Sequence, residues 1–325
     1  DSIDNDCDGA VDEGCTFTPL TRNNYITEFD AIDLDTYNHT GYSTKNSPTW
    51  WAWDNTPIVE GQIDMYEATG NIKYLDFVVA NTDRIISKAT IDPVDLAVGG
   101  APSGYLGWYN LEHPIDPILT YSRIVFPMVK FAYVVKKAGL TQYYAKADSY
   151  INFVETNIIP RYDSIWREYG TMGFWVGGTM SAPNNRASHV GRIHVYLWLI
   201  TGNQKYLDRS TKYATKIKST LSTRTDGPTG VPYYFWNYAN KAGCKTVGST
   251  YQCDAALSCP TEGQNKCNTN PGDWVCSGPA ESTYSNYDMS LMLDYYESGI
   301  VFDSSDVTKI ANSFKEAMVV QTAEV

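Results

Sequence analysis

Hydrophobic and polar positions alternate with a helical period over most of this chain. Apolar residues recur every three or four positions in eight segments, as they do in amphipathic helices. Residues 16–55 show little periodicity and are predicted as a long ordered entry segment, and residues 231–238 are predicted as a short strand or an aromatic loop. The predicted helices are Pro57–Thr69, Ile72–Ser87, Asp116–Ala138, Thr141–Ile158, Ser181–Thr201, Gln204–Ser219, Tyr287–Ser298 and Ser304–Val320.

These helices are predicted to form hairpins because the sequence around their turns repeats. Residues 67–76 (EATGNIKYLD) and 199–208 (LITGNQKYLD) are nearly the same decapeptide, and 136–148 and 295–306 are looser copies. Stacked helical hairpins produce such a repeat. The sequence therefore predicts an all-α fold, an α/α toroid or incomplete barrel of about four to six helical hairpins. An open α-solenoid is the alternative. The four turns are centred on Gly70, Gly139, Gly202 and Gly299.

The loops before the first helix of each pair are rich in aromatic, amide and carboxylate side chains. They cover residues 50–55, 107–117, 173–186 and 279–288. If the first helix of every pair lies inside the toroid, the four loops meet at one rim. Functional residues are often carried on such loops above a rigid scaffold. The rim is therefore the predicted site.

The first fifteen residues predict a separate calcium-binding loop. Asp4, Asp6, Asp8 and Asp12 occupy positions 1, 3, 5 and 9 of an EF-hand-like pattern, and Gly9 stands at the sharp turn. The pattern resembles the short acidic repeats of bacterial surface and secreted proteins, although Cys15 replaces the usual final Glu. We expect structural calcium in domain 1–15 and catalysis in domain 16–325.

The composition indicates which classes of binding partner suit this chain. The formal net charge is −12, which argues against nucleic acid and anionic membranes. Aromatic residues make up 14% of the chain, a surplus that is common in carbohydrate-binding clefts but also serves cores. No run of 18 apolar residues predicts a membrane span. A monomer is expected.

Five of the seven cysteines lie within residues 244–276, a segment rich in small polar residues. Such spacing is typical of a disulfide-rich insertion and of an oxidising environment. The sequence therefore predicts a secreted or cell-surface protein.

The predicted helix Ser181–Thr201 carries a polar stripe on an otherwise apolar segment. Asn185, His189, Arg192 and Tyr196 share one face, and His194 lies about one turn away. Buried polar groups are costly unless they are paired or functional. A satisfied hydrogen-bond network and a substrate site are both compatible with this stripe.

Asn184-Asn185, His189, the Tyr-Leu-Trp at 196–198 and the Tyr-rich segment 284–288 resemble α/α-toroid polysaccharide lyases that cleave alginate or glucuronan. Arg186 stands where these lyases carry a His. The resemblance implies β-elimination on an anionic, uronic-acid-containing polysaccharide, with donors that stabilise the enediolate and a Tyr or His as acid or base. The implied catalytic residues are Asn185, His189, Arg192, His194, Tyr284 and Tyr287. The candidate substrate-binding residues are Trp51, Trp53, His113 and Arg123.

Two other functions are compatible with the sequence. A glycoside hydrolase on the same toroid needs two carboxylates across the scissile bond. The rim offers Asp54, Glu60, Asp116 and Asp288 for that role. A non-catalytic surface protein that binds glycans is the second alternative.

Overall fold

The computed structural model describes residues 22–35, 47–92, 104–109, 117–177, 180–182, 184–227, 229–236, 243–247, 250–254 and 282–318. Its helices are α1 (Arg22–Asp35), α2 (Thr56–Thr69), α3 (Lys73–Ile86), α4 (Pro117–Lys137), α5 (Tyr144–Phe153), α6 (Ile159–Ser164), α7 (Asn184–Thr201), α8 (Gln204–Ser219), α9 (Ser282–Glu297) and α10 (Ser304–Asn312). Its short strands are β1 (Thr90–Ile91), β2 (Leu106–Gly107), β3 (Trp166–Tyr169), β4 (Met172–Gly177), β5 (Met180–Ser181), β6 (Ser222–Thr225), β7 (Pro232–Phe235), β8 (Gly243–Val247) and β9 (Thr250–Asp254).

Four helical hairpins form the body of the protein, as the repeat predicts. They pair α2 with α3, α4 with α5, α7 with α8, and α9 with α10. The glycine in each turn has a left-handed backbone, with φ of 73° at Gly70, 70° at Gly139, 68° at Gly202 and 71° at Gly299. Glycine adopts this conformation at no steric cost, so it ends one helix and lets the chain reverse.

The first helices of the hairpins pack side by side in chain order. Helix α2 contacts α4, α4 contacts α7, and α7 contacts α9. Their second helices lie outside them, and the predicted α/α toroid is therefore confirmed as an incomplete ring of hairpins. The hydrophobic core lies between the two layers and includes Trp108, Phe126, Phe131 and Tyr162.

The entry segment is more helical than its sequence pattern predicts. Helix α1 is present, although it has almost no amphipathic periodicity. Residues Pro48–Trp50 form a helical turn and Trp51–Asn55 a π-helical turn that leads directly into α2. A π-turn inserts one extra residue into a helix, and such turns are frequent at functional sites.

Tyrosine hydroxyls link the outer segments of the first three hairpins to the helical segment that precedes each of them. We call this set of hydrogen bonds the tyrosine ladder. Its rungs are Tyr74 Oη to Asp30 Oδ1 (2.9 Å), Tyr143 Oη to Asp76 Oδ1 (2.5 Å), Tyr150 Oη to Asp83 Oδ1 (2.8 Å) and Tyr206 Oη to Glu155 Oε1 (2.7 Å). These four tyrosines, part of the surplus noted in the sequence, therefore have a structural role.

Helix α4 is apolar enough to resemble a membrane span, which the sequence analysis does not predict. The window Ile118–Lys137 has a mean hydropathy of 1.4. However, 89% of that window is buried inside the protein, as expected for a core helix.

Strands occur in small antiparallel sheets, and the strand alternative for residues 231–238 is correct. Strand β7 pairs with β6, and Thr223 lies opposite Tyr234. Strands β8 and β9 form a hairpin in which Cys244 lies opposite Cys253.

The predicted disulfides are corrected for the described residues, while the insertion at 244–276 stays a prediction. No disulfide is seen in the described part of the chain, where a backbone hydrogen-bond ladder joins β8 to β9 instead. Cys259, Cys267 and Cys276 lie outside the described residues, and so do Asp4, Asp6, Asp8 and Asp12 of the predicted calcium loop.

Candidate functional site

Polar side chains from all four inner helices meet in the centre of the ring. Helix α2 contributes one residue, and the other three helices contribute residues three, four or seven positions apart, which is the spacing of one helix face. These residues are Glu60 of α2, Arg123 and Phe126 of α4, His189, Arg192 and Tyr196 of α7, and Tyr287 and Asp294 of α9. We call this set the central cluster.

Arg192 connects two carboxylates across the cluster. Its Nε donates to Asp294 Oδ2 at 2.6 Å, and its Nη1 lies 3.3 Å from Glu60 Oε2. The guanidinium also lies 3.9 Å from the centre of the Phe126 ring. Tyr196 Oη donates to the other oxygen of Asp294 at 3.1 Å. The sequence analysis misses Asp294, although it lies seven residues after Tyr287 on the same helical face.

Glu60 is held in its ionised form. Burial raises the pKa of this carboxyl, but its contact with His189 and the positive charge of Arg192 outweigh burial and lower the pKa to about 2. His189 Nε2 lies 3.7 Å from Glu60 Oε1. Burial lowers the pKa of His189, and Glu60 only partly opposes that shift. The histidine is therefore neutral at pH 7.

Arg123 is a buried cation enclosed by two aromatic rings. Its guanidinium carbon lies 4.2 Å from the ring centre of Trp53 and 4.5 Å from that of Tyr287. Within the described residues, its Nε and Nη1 atoms have no hydrogen-bond partner. Burial lowers the pKa of Arg123, and the charges of Tyr287, Glu60 and Asp54 oppose that shift.

A polar cavity of about 290 Å³ lies at the carboxyl-terminal side of the cluster. Arg192, Tyr196 and Asp294 form one wall, and Lys130 and Glu297 are also among its lining residues. No group of three or more His, Cys, Asp or Glu side chains in the described part of the chain is arranged to hold a metal ion.

The structure brings together some of the predicted site residues and separates others. His189, Arg192, Arg123, Tyr287 and Trp53 lie in or against the central cluster. Asn185 is buried on the same face of α7, and its Oδ1 has no partner among the described residues.

Two predicted residues belong to the hydrophobic core instead. Trp51 is fully buried and packs edge to face against Trp108, so it cannot stack on a sugar. His194 is fully buried between Trp175 and Tyr206, and its Nδ1 bonds the Val190 carbonyl at 2.8 Å. Burial lowers the pKa of His194 to about 3.

The four carboxylates that the sequence offers for a hydrolase do not all lie together. Asp54 lies half-buried in the π-turn before α2, and Glu60 in the central cluster. Asp288 is buried elsewhere, where it accepts hydrogen bonds from Ser188 and Trp236. His113, Asp116 and the side chain of Tyr284 lie outside the described residues.

No protein-family model matches the chain, and no curated protein matches it. A solved α-1,6-mannanase of glycoside hydrolase family 76 from Salegentibacter sp. HEL1_6 is similar, with 14% identity and a TM-score of 0.43. That similarity covers 81% of this chain and 60% of the other.

A family 76 mannosidase from Bacteroides thetaiotaomicron is also similar, with 14% identity and a TM-score of 0.33. It covers 59% of this chain and 48% of the other. This chain thus spans 60% or less of the length of both neighbours.

The prediction of a polysaccharide lyase is wrong. The similar solved structures named above are glycoside hydrolases, not lyases. For Arg192 the geometry gives a physical reason as well, because β-elimination needs a free donor for the substrate carboxylate. Two protein carboxylates already neutralise Arg192, and burial keeps His189 uncharged.

Proposed function

We propose that this chain is a glycoside hydrolase that cleaves a polysaccharide outside the cytoplasm, with Asp54 and Glu60 as its two carboxylates. Glycosidases use two carboxyl groups that flank the scissile bond, one of them ionised and the other a proton donor. Asp54 and Glu60 are the two rim carboxylates, among the described residues, that lie near Arg123.

The observation that carries the proposal is the state of Glu60. Its side chain is 19% exposed, yet Arg192 and His189 keep it ionised. A fixed negative charge can stabilise an oxocarbenium-like transition state or attack the anomeric carbon. A carboxyl with so low a pKa cannot act as the proton donor. Asp54 is therefore assigned the proton transfer to the leaving oxygen.

The aromatic groups beside these carboxylates suit a sugar ring. Trp53 and Tyr287 are half-buried, so one face or edge of each remains accessible. Arg123 between them holds both rings in place. We propose that Trp53 and Tyr287 form the walls of a sugar subsite next to Glu60.

Release of reducing ends from polysaccharides tests this function. The Salegentibacter neighbour is named as an α-1,6-mannanase, so the panel begins with α-1,6-linked mannan and extends to other neutral and anionic glycans. Asp54→Asn and Glu60→Ala are each expected to lower turnover by at least about 10²-fold. Formate is expected to restore part of the turnover of Glu60→Ala, because a small anion can occupy the vacated space.

Asp64→Asn is the matched control, since Asp64 lies on the same helix with a side chain that is 62% exposed. Wild-type turnover in both carboxylate variants would contradict the assignment. Binding of a glycan without any release of reducing ends would instead favour the non-catalytic alternative.

A further inference from the structure

A second polar cluster is buried away from the central cluster, where α7, α8 and α9 meet. Lys216 of α8 donates from Nζ to Asn184 Oδ1, and the two atoms are 2.8 Å apart. Lys216 is 1% exposed, and Asn184 and Asp288 are each 2% exposed. We call Asn184, Ser188, Lys216, Trp236 and Asp288 the lysine cluster.

The carboxylate of this cluster is fixed by neighbours other than the lysine. Asp288 Oδ1 accepts from Ser188 Oγ at 2.6 Å, and Oδ2 accepts from Trp236 Nε1 at 3.2 Å. Ser188 Oγ also bonds the Asn184 backbone carbonyl at 2.8 Å. Among the described residues, Asp288 and Lys216 form no direct ion pair within 4 Å. The lysine nitrogen is thus directed at an amide carbonyl.

We propose that Lys216 and Asn184 form an intramolecular isopeptide bond, with Asp288 as the proton acceptor. The geometry supports this, because Nζ is hydrogen-bonded to the side-chain oxygen of Asn184, and that oxygen is bonded to the carbon that would be attacked. Reactive groups that are held next to each other react far faster than the same groups free in solution. Burial excludes water that would otherwise solvate the amine.

Burial makes the neutral amine of Lys216 easier to form than that of an exposed lysine. Burial lowers the pKa of Lys216 to about 8, with Asp288 opposing the shift. Burial raises the pKa of Asp288 to about 7, although Ser188, Trp236 and Lys216 each lower it. The two groups therefore exchange a proton at little cost, and the uncharged pair suits the apolar surroundings.

The reaction balances without a cofactor. Asp288 accepts one proton from the Lys216 ammonium, and the neutral nitrogen attacks Cγ of Asn184. The Nζ–Cγ bond forms, one further proton passes from Nζ to Nδ2, and the Cγ–Nδ2 bond breaks. Ammonia leaves, and an amide joins the first residue of α7 to α8.

The intact mass of the purified full-length chain, with its cysteines reduced, tests the proposal. We expect a mass about 17 Da below the value from the sequence, because one ammonia is lost. A tryptic digest is expected to give one branched peptide containing both Asn184 and Lys216, without cleavage after Lys216.

Lys216→Met, Asn184→Ala and Asp288→Asn are expected to restore the full mass and to lower the thermal midpoint. Lys218→Arg is the matched control and keeps the mass deficit, because Lys218 instead bonds Asp306.

A wild-type chain with the full mass would overturn the proposal. A deficit confined to a single unbranched peptide would also overturn it, since a cyclised asparagine gives the same loss. Because the wild-type mass decides the question, poor folding of a variant does not weaken the test.

Discussion

Glu60 sets the charge balance at the centre of the ring. Its carboxylate faces Arg192 and His189, while Arg192 is shared with Asp294. Removing one partner from a buried ion pair is strongly destabilising. Glu60 is therefore a structural residue as well as the proposed catalytic carboxylate, and its two roles require separate measurements.

Glu60→Gln is expected to make stability less sensitive to acid. Between about pH 4.5 and pH 2 the unfolded chain protonates Glu60 while the folded chain does not. The unfolded state then binds more protons, so the free energy of unfolding falls as pH falls through this window. At about 1.4 kcal/mol per pKa unit, the wild type loses up to about 3 kcal/mol that the variant does not.

Urea unfolding at a series of acid pH values measures this difference. Glu67→Gln serves as the control, because Glu67 is 46% exposed and lies 3.9 Å from its lysine partner. Parallel pH profiles for the wild type and Glu60→Gln would contradict the assigned pKa.

At the scale of elements, the tyrosine ladder ties the outer helices together. Each rung joins a tyrosine hydroxyl to a carboxylate on the preceding helical segment. Successive hairpins are therefore hydrogen-bonded to each other, in addition to the contacts within each hairpin. Hydrogen bonds to charged groups contribute more than neutral ones. The ladder thus supplements the hydrophobic contacts between successive hairpins.

Tyr143→Phe is expected to lower the free energy of unfolding by about 1–2 kcal/mol, because Asp76 loses a hydrogen bond while the ring stays packed. Tyr144→Phe is the adjacent control, since its hydroxyl reaches only the Lys136 carbonyl at 3.4 Å. Chemical denaturation of the two variants gives the comparison. Equal stabilities would show that the rung contributes nothing.

At the scale of the whole molecule, the ring of hairpins and the predicted calcium loop are expected to be independent. We propose that calcium serves only residues 1–15, which precede the first described helix. Chelation is then expected to shift the thermal midpoint of the body by less than about 2 °C and to leave glycan hydrolysis unchanged. A larger shift that calcium reverses would place a metal within the ring.

The hairpins can be predicted from sequence because their signals are local. Gly70 and Gly202 mark turns within a nearly repeated decapeptide, and both turns occur where the repeat places them. The central cluster depends instead on contacts between distant segments. Arg192 and Asp294 are 102 residues apart, and periodicity on either helix alone does not reveal the pair.

Trp51 and Trp53 illustrate the same limit. Both are predicted on a rim loop, but the segment is helical, and two residues along a helix turn the side chain by about 200°. Trp51 therefore enters the core while Trp53 faces Arg123. A single helical turn in place of a loop decides which tryptophan can meet a ligand.

The tyrosine ladder also has an evolutionary consequence. In the tetrapeptide 73–76, Lys73 and Tyr74 bond Asp30 on the preceding helix, while Asp76 accepts Tyr143 from the following hairpin. One short segment therefore carries the side chains that bond both the preceding helix and the following hairpin. A tandem duplication of a hairpin would also duplicate the side chains that bond the preceding and the following hairpin. A ring of this kind can therefore lengthen by whole hairpins without new contacts between them.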